Sequence, residues 1–438
     1  MWSTSVSFDK GHLSMSGISA RTLADDFGTP AYFIDEDHFR DRARSWAHSL
    51  ESHFGTSAGT IYYAAKAFIC TDVARWIKEE GIGIDVCTGG ELAAALAGGI
   101  DPQKIEVHGN NKSVAEIERA VQVGVKTIVI DSLYEIERVA LAAGKFGVRQ
   151  AVMLRLTPGV QAHTHESIST AHEDVKFGFS IASGAALKAV AEVLSHSSLE
   201  LRGFHCHVGS QIFGTESFEL AASRIIALMA EVKTLHGVEL PELDLGGGYA
   251  IAYLPAEVTV EPEDVLPSLS AAVRSACAAA GLKLPIISLE PGRNISGPTT
   301  FTLYEVGTVK DVVLEDGSTR RYISVDGGMS DNIRTSLYDA EYFAALANRI
   351  SSAPLVLSRV VGKHCETGDI VIRDIQLPGD IAPGDLLATP ATGAYGRSMA
   401  SNYNHVPRPP VVAVKNGKAR VIVRRENEAD LLALDVKE

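Results

Sequence analysis

The chain has 438 residues, a formal charge of −14, and 46% hydrophobic against 21% charged residues. That balance excludes a disordered chain and suits one large globular domain with a smaller one. So acidic a protein lacks the basic face that nucleic acid or an anionic membrane requires, and no apolar run is long enough to span a bilayer.

The N-terminal residues MWSTSVSFDKGHLSMSG contain no apolar stretch fit for a signal peptide. Five scattered cysteines (Cys70, Cys87, Cys206, Cys277, Cys365) form no C-x-x-C pair and fit reduced thiols better than a disulfide framework or zinc ribbon. A cytoplasmic protein is expected. From residue 60 onward, short apolar runs alternate with helical patterns. The runs are Thr60–Ala65, Gly83–Cys87, Ile105–His108, Thr127–Asp131, Ala151–Leu156, Leu201–His207, Glu242–Leu245 and Ile286–Glu290. Between them, segments such as Ser113–Gly124 and Ser217–Gly237 place apolar residues at helical spacing. Alternation of this kind predicts parallel strands joined by crossover helices, and eight units have the size of a closed (β/α)8 barrel; a doubly wound open sheet is the other arrangement that such alternation allows.

After residue 300 the texture changes. TFTLYEVGTVKDVVL, RRYISVDGG, LSRVVGKH and PVVAVKNGKARVIVRRE read as strands with turns at Glu315–Gly317 and Asn416–Gly417, the second a hairpin signal. The expected organisation is α/β: a TIM barrel over residues 36–298 and a mainly antiparallel β domain, sandwich or barrel, over 299–438, to which residues 1–35 contribute.

Barrel enzymes place their chemistry at the C-terminal ends of the strands. The first candidate strand ends at Lys66, between Ala65 and Ala67. A buried lysine there would have a lowered pKa and attack carbonyls; a lysine snorkelling to the rim fits equally well. The seventh runs into Gly246, Gly247 and Gly248, whose backbone could converge on an anion or simply turn tightly. The eighth runs into Glu290, Pro291, Gly292 and Arg293. A glutamate ending a buried strand needs a cation or a proton, and Arg293 offers either an internal ion pair or a fork for a phosphate or carboxylate. The sixth ends in His205, Cys206, His207, Val208, Gly209 and Ser210. With His163, His165 and His172 not far off in sequence a metal has to be weighed, but no ligand spacing such as H-E-x-x-H occurs and none is expected. An imidazole laid over a cofactor ring, with Ser210 on a phosphate, fits the barrel mouth better. An aldehyde anchor, a phosphate cradle and a partner for a ring nitrogen together describe pyridoxal 5'-phosphate (PLP).

The same residues resemble a known family, the fold-type III PLP decarboxylases: Tyr63-Ala-Ala-Lys66, Asp85 with Gly89-Gly90-Glu91-Leu92, His108-Gly-Asn-Asn-Lys112, His205-x-His207-Val-Gly-Ser210-Gln211, Asp244-Leu-Gly-Gly-Gly248, Glu290-Pro-Gly-Arg293, Cys365-Glu366-x-Gly-Asp369 and Gly393-Ala-Tyr395. Within that family Asp331-Asn-Ile-Arg334 with Leu337-Tyr338, and Ser401-Asn-Tyr-Asn404, are similar to the diaminopimelate decarboxylases. The likeness runs from Gly28-Thr29-Pro30 to Arg424-Arg425-Glu426, with departures at Phe68, Thr88 and Thr367. It implies decarboxylation of meso-2,6-diaminopimelate to L-lysine and CO2, the last step of lysine biosynthesis. It also implies that Lys66 carries the cofactor and His207 stacks on its ring. Ser210, Gly246–Gly248, Arg293 and Tyr395 hold the phosphate, within a cofactor site that includes Pro291 and Gly292. Glu290 keeps the pyridine nitrogen protonated. Arg293, Arg334 and Tyr338, with Tyr395 alongside, receive the far end of the substrate with its carboxylate, Glu366 receives the far ammonium, and Cys365 protonates the carbanion. An obligate homodimer with shared sites is implied, since the Cys365–Glu366 segment reaches the other subunit's barrel in this family. The alternatives are a decarboxylase of the same fold acting on ornithine, lysine or a carboxylated polyamine, and a non-catalytic PLP carrier. Arg334 would have no purpose in a site for ornithine or lysine, and a carrier would not need the β domain or Cys365–Glu366.

Overall fold

The computed structural model describes residues 1–9, 11–160 and 176–436; the candidate ligands His163, His165 and His172 lie outside them. The chain divides into two compact units, Arg42–Ala250 with Val260–Asn294, and Met1–Asp41 with Ile251–Thr259 and Ile295–Glu438. Among the described residues, no helix is long and apolar enough to cross a membrane.

In the first unit eight parallel strands close on themselves: β1 (Ala58–Ala64), β2 (Gly83–Val86), β3 (Ile105–Val107), β4 (Thr127–Ile130), β5 (Gln150–Thr157), β6 (Leu199–Cys206), β7 (Glu242–Asp244) and β8 (Ile286–Leu289). Each pairs with the next, and β8 pairs with β1. The ring is the expected barrel and not an open sheet. The two-residue strand Phe179–Ser180 pairs with β5 outside it. The crossover helices follow local chemistry. Ser113 and Glu116 form a reciprocal capping box at the start of Val114–Val123, and Gly124 ends it in the left-handed conformation, while Ile117, Ala120 and Val121 are buried.

In the second unit a sheet runs in the order Ile370–Pro378, Leu355–Val361, Thr319–Val325, Thr300–Val313, Ala31–Asp35, Val411–Lys415, Lys418–Val423, with Leu386–Pro390 added along Thr300–Val313. Most pairings are antiparallel; Ala31–Asp35 pairs in parallel with Val411–Lys415, so residues before 36 do enter this sheet. The Asn416–Gly417 turn has positive φ at both positions (50° and 69°), as a type I′ hairpin requires. Ile370–Pro378 and Leu386–Pro390 are strands that the sequence pattern did not announce.

The segment Ile251–Thr259 leaves the barrel unit and belongs to the other, where Ile251 and Tyr253 join the core with Tyr304, Ile323, Tyr342 and Val360. Its two ends in the barrel unit are tied by one side chain. Asn294 is buried; its Nδ2 donates to Ala250 O (3.1 Å) and Val260 O (2.8 Å), and its Oδ1 accepts from Trp46 Nε1 (2.8 Å) and Arg42 Nη2 (2.5 Å). Between Gly248 and Ala250, Tyr249 is clasped by Trp46 (ring centroids 4.5 Å) and Phe218 (4.8 Å). Removing the Asn294 side chain leaves Trp46 Nε1 without its partner, while Ala250 O keeps Val260 N (3.1 Å) and Arg42 keeps Glu261 (3.0 Å). We expect Asn294→Ala to destabilise the fold by about 1–3 kcal/mol. A urea-unfolding series on wild type and variant measures this; a loss below about 0.5 kcal/mol would mean that water takes over the bonds that Asn294 makes.

Candidate active site

Lys66 directly follows β1 in a turn fixed by its neighbours. Ala65 N donates to Asp85 O (3.0 Å), Ala67 N to Ala64 O (3.0 Å), and Tyr63 Oη to Phe68 O (2.7 Å). Ala64, Ala65, Ala67 and Phe68 are buried but Lys66 itself is exposed, so of the two readings that its sequence allows it is the rim lysine. Its chemistry therefore comes from its surroundings: its charge acts on Asp85, Cys87, Glu91 and His207. Burial, with the cations of Lys66 and Arg155, holds the His207 pKa well below the usual imidazole range. A neutral ring at this position suits stacking on a flat group.

The three glycines are required by packing as well as by any ligand. A Cβ would lie 2.2 Å from Cys206 O at Gly246, 2.1 Å from Glu290 O at Gly247 and 2.3 Å from Gly209 O at Gly248. Gly246 and Gly248 have φ of 69° and 120°. The backbones that follow β6, β7 and β8 thus touch. Gly246 N is already committed to Asp244 Oδ1 (2.7 Å), which leaves Gly247 and Gly248 as the backbone for an anion. Gly292 is likewise set against Ala64, its added Cβ 2.5 Å from the alanine methyl, and Pro291 is buried beside it. Arg293 Nη2 donates to Ser210 Oγ (2.9 Å), so those two residues, 83 apart in sequence, do meet. Glu290 has partners of its own.

Those partners are histidines. Glu290 Oε1 lies 3.0 Å from His108 Nε2 and 3.2 Å from His205 Nε2. Burial pushes the Glu290 pKa up, but the two imidazoles outweigh it and hold it well below the usual range. For Asp85 and Asp244, burial and then the charge of Glu290 push the pKa well above the usual range, which favours their protonated forms. His108 stood in the family-like string without a role, and His205 had been weighed only as a metal ligand. The shared signal was a polar residue ending an apolar strand, the same one that singled out Glu290. His108, His205 and Glu290 have the residue types and spacing of a metal triad. A histidine that keeps its proton against Glu290, however, has no lone pair there to give a metal.

In the second unit Asp331 fixes the segment that carries Arg334. Its carboxylate accepts from Tyr304 Oη (2.5 Å) and Gly328 N (2.7 Å). Arg334 opens the five-residue helix Arg334–Tyr338 and is buried, with its Nη1 donating to Tyr342 Oη (2.5 Å) and its guanidinium over the Tyr253 ring (4.8 Å). Tyr253 and Tyr342 meet edge to face at 5.2 Å. The phenols on Arg334 are therefore Tyr342 and Tyr253; Tyr338, the phenol expected from the i, i+4 spacing, is half-buried with no bond to Arg334. No periodicity links residues 253, 334 and 342, so sequence reasoning missed both. Tyr395 is half-buried with φ of 60°, and its hydroxyl acts on Arg334. Cys365 and Glu366 are exposed on a loop held by Asp369, which accepts from His364 N (2.7 Å) and Met329 N (2.6 Å). Gly328 and Gly362 have no room for a Cβ beside the Asp369 carboxylate.

Residues 36–297 match the family described as pyridoxal-dependent decarboxylase, pyridoxal binding domain. The chain is 52% identical to the diaminopimelate decarboxylase of Mycobacterium tuberculosis (strain ATCC 25618 / H37Rv), over 100% of this chain and 98% of that one. It is 42% identical to that of Bacillus subtilis (strain 168), over 99% and 97%. The crystal structure of diaminopimelate decarboxylase from M. jannaschii in co-complex with L-lysine has a TM-score of 0.91 at 29% identity, covering 100% of this chain and 99% of that one. The lysine/ornithine decarboxylase of Vibrio vulnificus, at 23% identity and a TM-score of 0.73, shares the fold. A closed barrel with a lysine, a glycine cradle and a buried carboxylate at its strand ends, matched over its length by this family, makes the chain a member of the pyridoxal-dependent decarboxylases.

Proposed function

We propose that the chain removes CO2 from meso-2,6-diaminopimelate and releases L-lysine, completing lysine biosynthesis in the cytoplasm. The observation that carries the choice of substrate is Arg334, a buried guanidinium whose partners among the described residues are phenols and not a carboxylate. A buried cation without an anion favours a ligand that brings one. Diaminopimelate has a second carboxylate far from the reacting carbon; ornithine and lysine do not. The 52% identity to a diaminopimelate decarboxylase over the whole chain supports the same substrate.

The residues of the barrel unit fit PLP. Ser210 and Arg293 are already bonded to each other, Gly247 and Gly248 present backbone without side chains, and Glu290 is a buried carboxylate near its imidazoles. When bound, the cofactor supplies an electron sink for the pair left as CO2 departs. In this reading Lys66 is exposed because its amine has to reach the cofactor aldehyde and yield to the substrate amine. Ser210, Arg293, Gly247, Gly248 and Tyr395 hold the phosphate. His207 stays neutral and packs on the ring face, and Glu290 holds the proton of the ring nitrogen. Arg334, with Arg293 and Tyr338, takes the far carboxylate, and Glu366 the far ammonium. Cys365 returns a proton to the carbon that lost CO2. The exposure of Cys365 and Glu366 on a firmly held loop supports their donation to a second copy of the chain, hence a homodimer.

Three tests follow from these roles. Lys66→Ala should abolish turnover, and borohydride should no longer fix cofactor to the chain; covalent fixation in the variant would exclude Lys66 as the anchor.

Purified enzyme with PLP should release CO2 from meso-diaminopimelate and not from ornithine or lysine at comparable rates. Arg334→Ala should raise KM for meso-diaminopimelate by the equivalent of about 2–5 kcal/mol, since it strands a carboxylate in a site built to neutralise it. Tyr342→Phe, which removes one bond to Arg334, should cost about 1 kcal/mol. Preference for ornithine in the wild type would overturn the substrate assignment.

For the dimer, mixing inactive Lys66→Ala with inactive Cys365→Ala chains should restore part of the activity, because one site of each mixed pair is intact. Proven subunit exchange without recovery would mean that each site is built from one chain.

A further inference from the structure

TIM-barrel interiors are normally filled by branched apolar side chains. Here Asp85 on β2, Glu106 on β3, His108 just after it, His205 on β6, Asp244 on β7 and Glu290 just after β8 are all buried together. Decarboxylation as described above uses only Glu290 of this group. The two histidines compete for the same Glu290 oxygen, their rings edge to face with centroids 4.7 Å apart. Two buried imidazolium ions at that separation would repel strongly, so at most one carries a proton on both nitrogens.

Geometry decides which. His108 Nε2 lies near two carboxylates, Glu290 at 3.0 Å and Glu106 Oε2 at 3.8 Å, without hydrogen-bond alignment to either, so the contact is one of charge. His205 faces Glu290 alone and also meets the positive charges of His108 and Arg155. Burial pushes both pKa values down. For His108 the pull of Glu290, then of Glu106, prevails and the pKa ends well above the usual imidazole range; His205 is pushed down to about 4. The protonated forms favoured at Asp85 and Asp244 leave Glu290 as the charge that His108 meets most closely.

We propose that His108 is a positioning residue: held as an imidazolium between Glu290 and Glu106, it fixes Glu290 Oε1 and keeps Glu290 a carboxylate whose other oxygen is a charged acceptor for a protonated ring nitrogen. The proposal rests on the assignment of Glu290 to the cofactor ring. A neutral side chain in place of His108 would leave Glu290 buried near Asp85 and Asp244 without a counter-charge, and it would take up a proton. A carboxylic acid then competes with the ring for the proton it should secure.

The charge can be read directly by 15N NMR of histidine-labelled full-length protein, with cofactor and after its removal. His108 is assigned through its contact with the His205 ring and by its absence in His108→Gln. Both ring nitrogens of His108 should remain protonated at pH 8, and one should lose its proton in Glu290→Gln. A neutral His108 at pH 6 in wild type overturns the proposal. His108→Gln keeps a hydrogen-bond donor and removes the charge. It should weaken cofactor binding about tenfold or more, the equivalent of at least one pKa unit at Glu290; unchanged affinity overturns the proposal. Stability gives a third readout. The raised His108 pKa adds stability that is complete below the unfolded value of 6.5 and fades as pH rises through the folded value. The lowered Glu290 pKa adds stability that is complete above 4.5 and fades as pH falls. The melting-temperature gap between wild type and His108→Gln should therefore be widest between those two values and shrink toward alkaline pH; a gap that grows there counts against the imidazolium. Failure of the underlying reading looks different: Glu290→Gln would then bind cofactor and turn over normally, whatever the charge on His108.

Discussion

An ionised carboxylate buried at the end of a barrel strand is the constraint around which the rest of the barrel mouth is arranged. Glu290 could not stay charged there alone, because stripping water from a carboxylate costs several kcal/mol unless a cation replaces it. The sequence contains an obvious candidate three residues away, but Arg293 bonds to Ser210 instead, and the counter-charge comes from His108 after β3. This division of labour has a chemical logic. A guanidinium bound to Glu290 would occupy both oxygens in a bidentate pair. An imidazole meets one oxygen and leaves the other, while Arg293 sits beside Ser210. Burial and Glu290 favour the protonated forms of Asp85 and Asp244, and more negative charge in that space would favour a proton on Glu290.

The chain path after β7 serves two ends with one short stretch. Gly246–Gly248 lets the backbones that follow β6 and β8 come within contact of it, and Tyr249 is gripped between Trp46 and Phe218. Asn294 then ties Ala250 to Val260, the two points between which the chain leaves the barrel unit. What the excursion delivers is Tyr253, packed in the core of the second unit with its ring under Arg334.

The barrel was legible because eight apolar runs and their helices obey simple periodicities, and the strand-end residues because polar groups at the ends of buried strands are rare. Lys66, Ser210, the glycines, Glu290 and Arg293 all stood out that way. What the sequence hid falls into two kinds. One is context: the alanines around Lys66 are buried yet the lysine between them is exposed, because successive residues in a turn need not share an environment. The other is long-range pairing. Nothing in the texture of residues 251–259 separates them from the barrel, and nothing links Tyr253 or Tyr342 to Arg334. The i, i+4 spacing pointed to Tyr338, but a helix of five residues carries too little regular structure for spacing alone to decide which side chains meet. His108 was visible and went unused for lack of a partner, which only the closed ring supplies by bringing β3 and β8 together across it.

The two buried charges are treated in opposite ways, and the contrast says what each is for. Glu290 is neutralised from within by His108, so its energy is settled before any ligand arrives, and it can hold a cofactor ring regardless of which amino acid comes next. Arg334 is buried against Tyr342 and Tyr253, whose hydroxyl and π face ease the burial of a cation without cancelling its charge. The unspent part of that interaction is open to an incoming carboxylate. A substrate that lacks one gains nothing from Arg334 and leaves a desolvated cation behind, a penalty that falls on the wrong substrate and not on the right one. If Arg334 reads the substrate as proposed, selectivity for a dicarboxylic diamino acid needs no clash built against ornithine or lysine: the guanidinium would discriminate by itself, and the phenols that keep it in place would set how sharply.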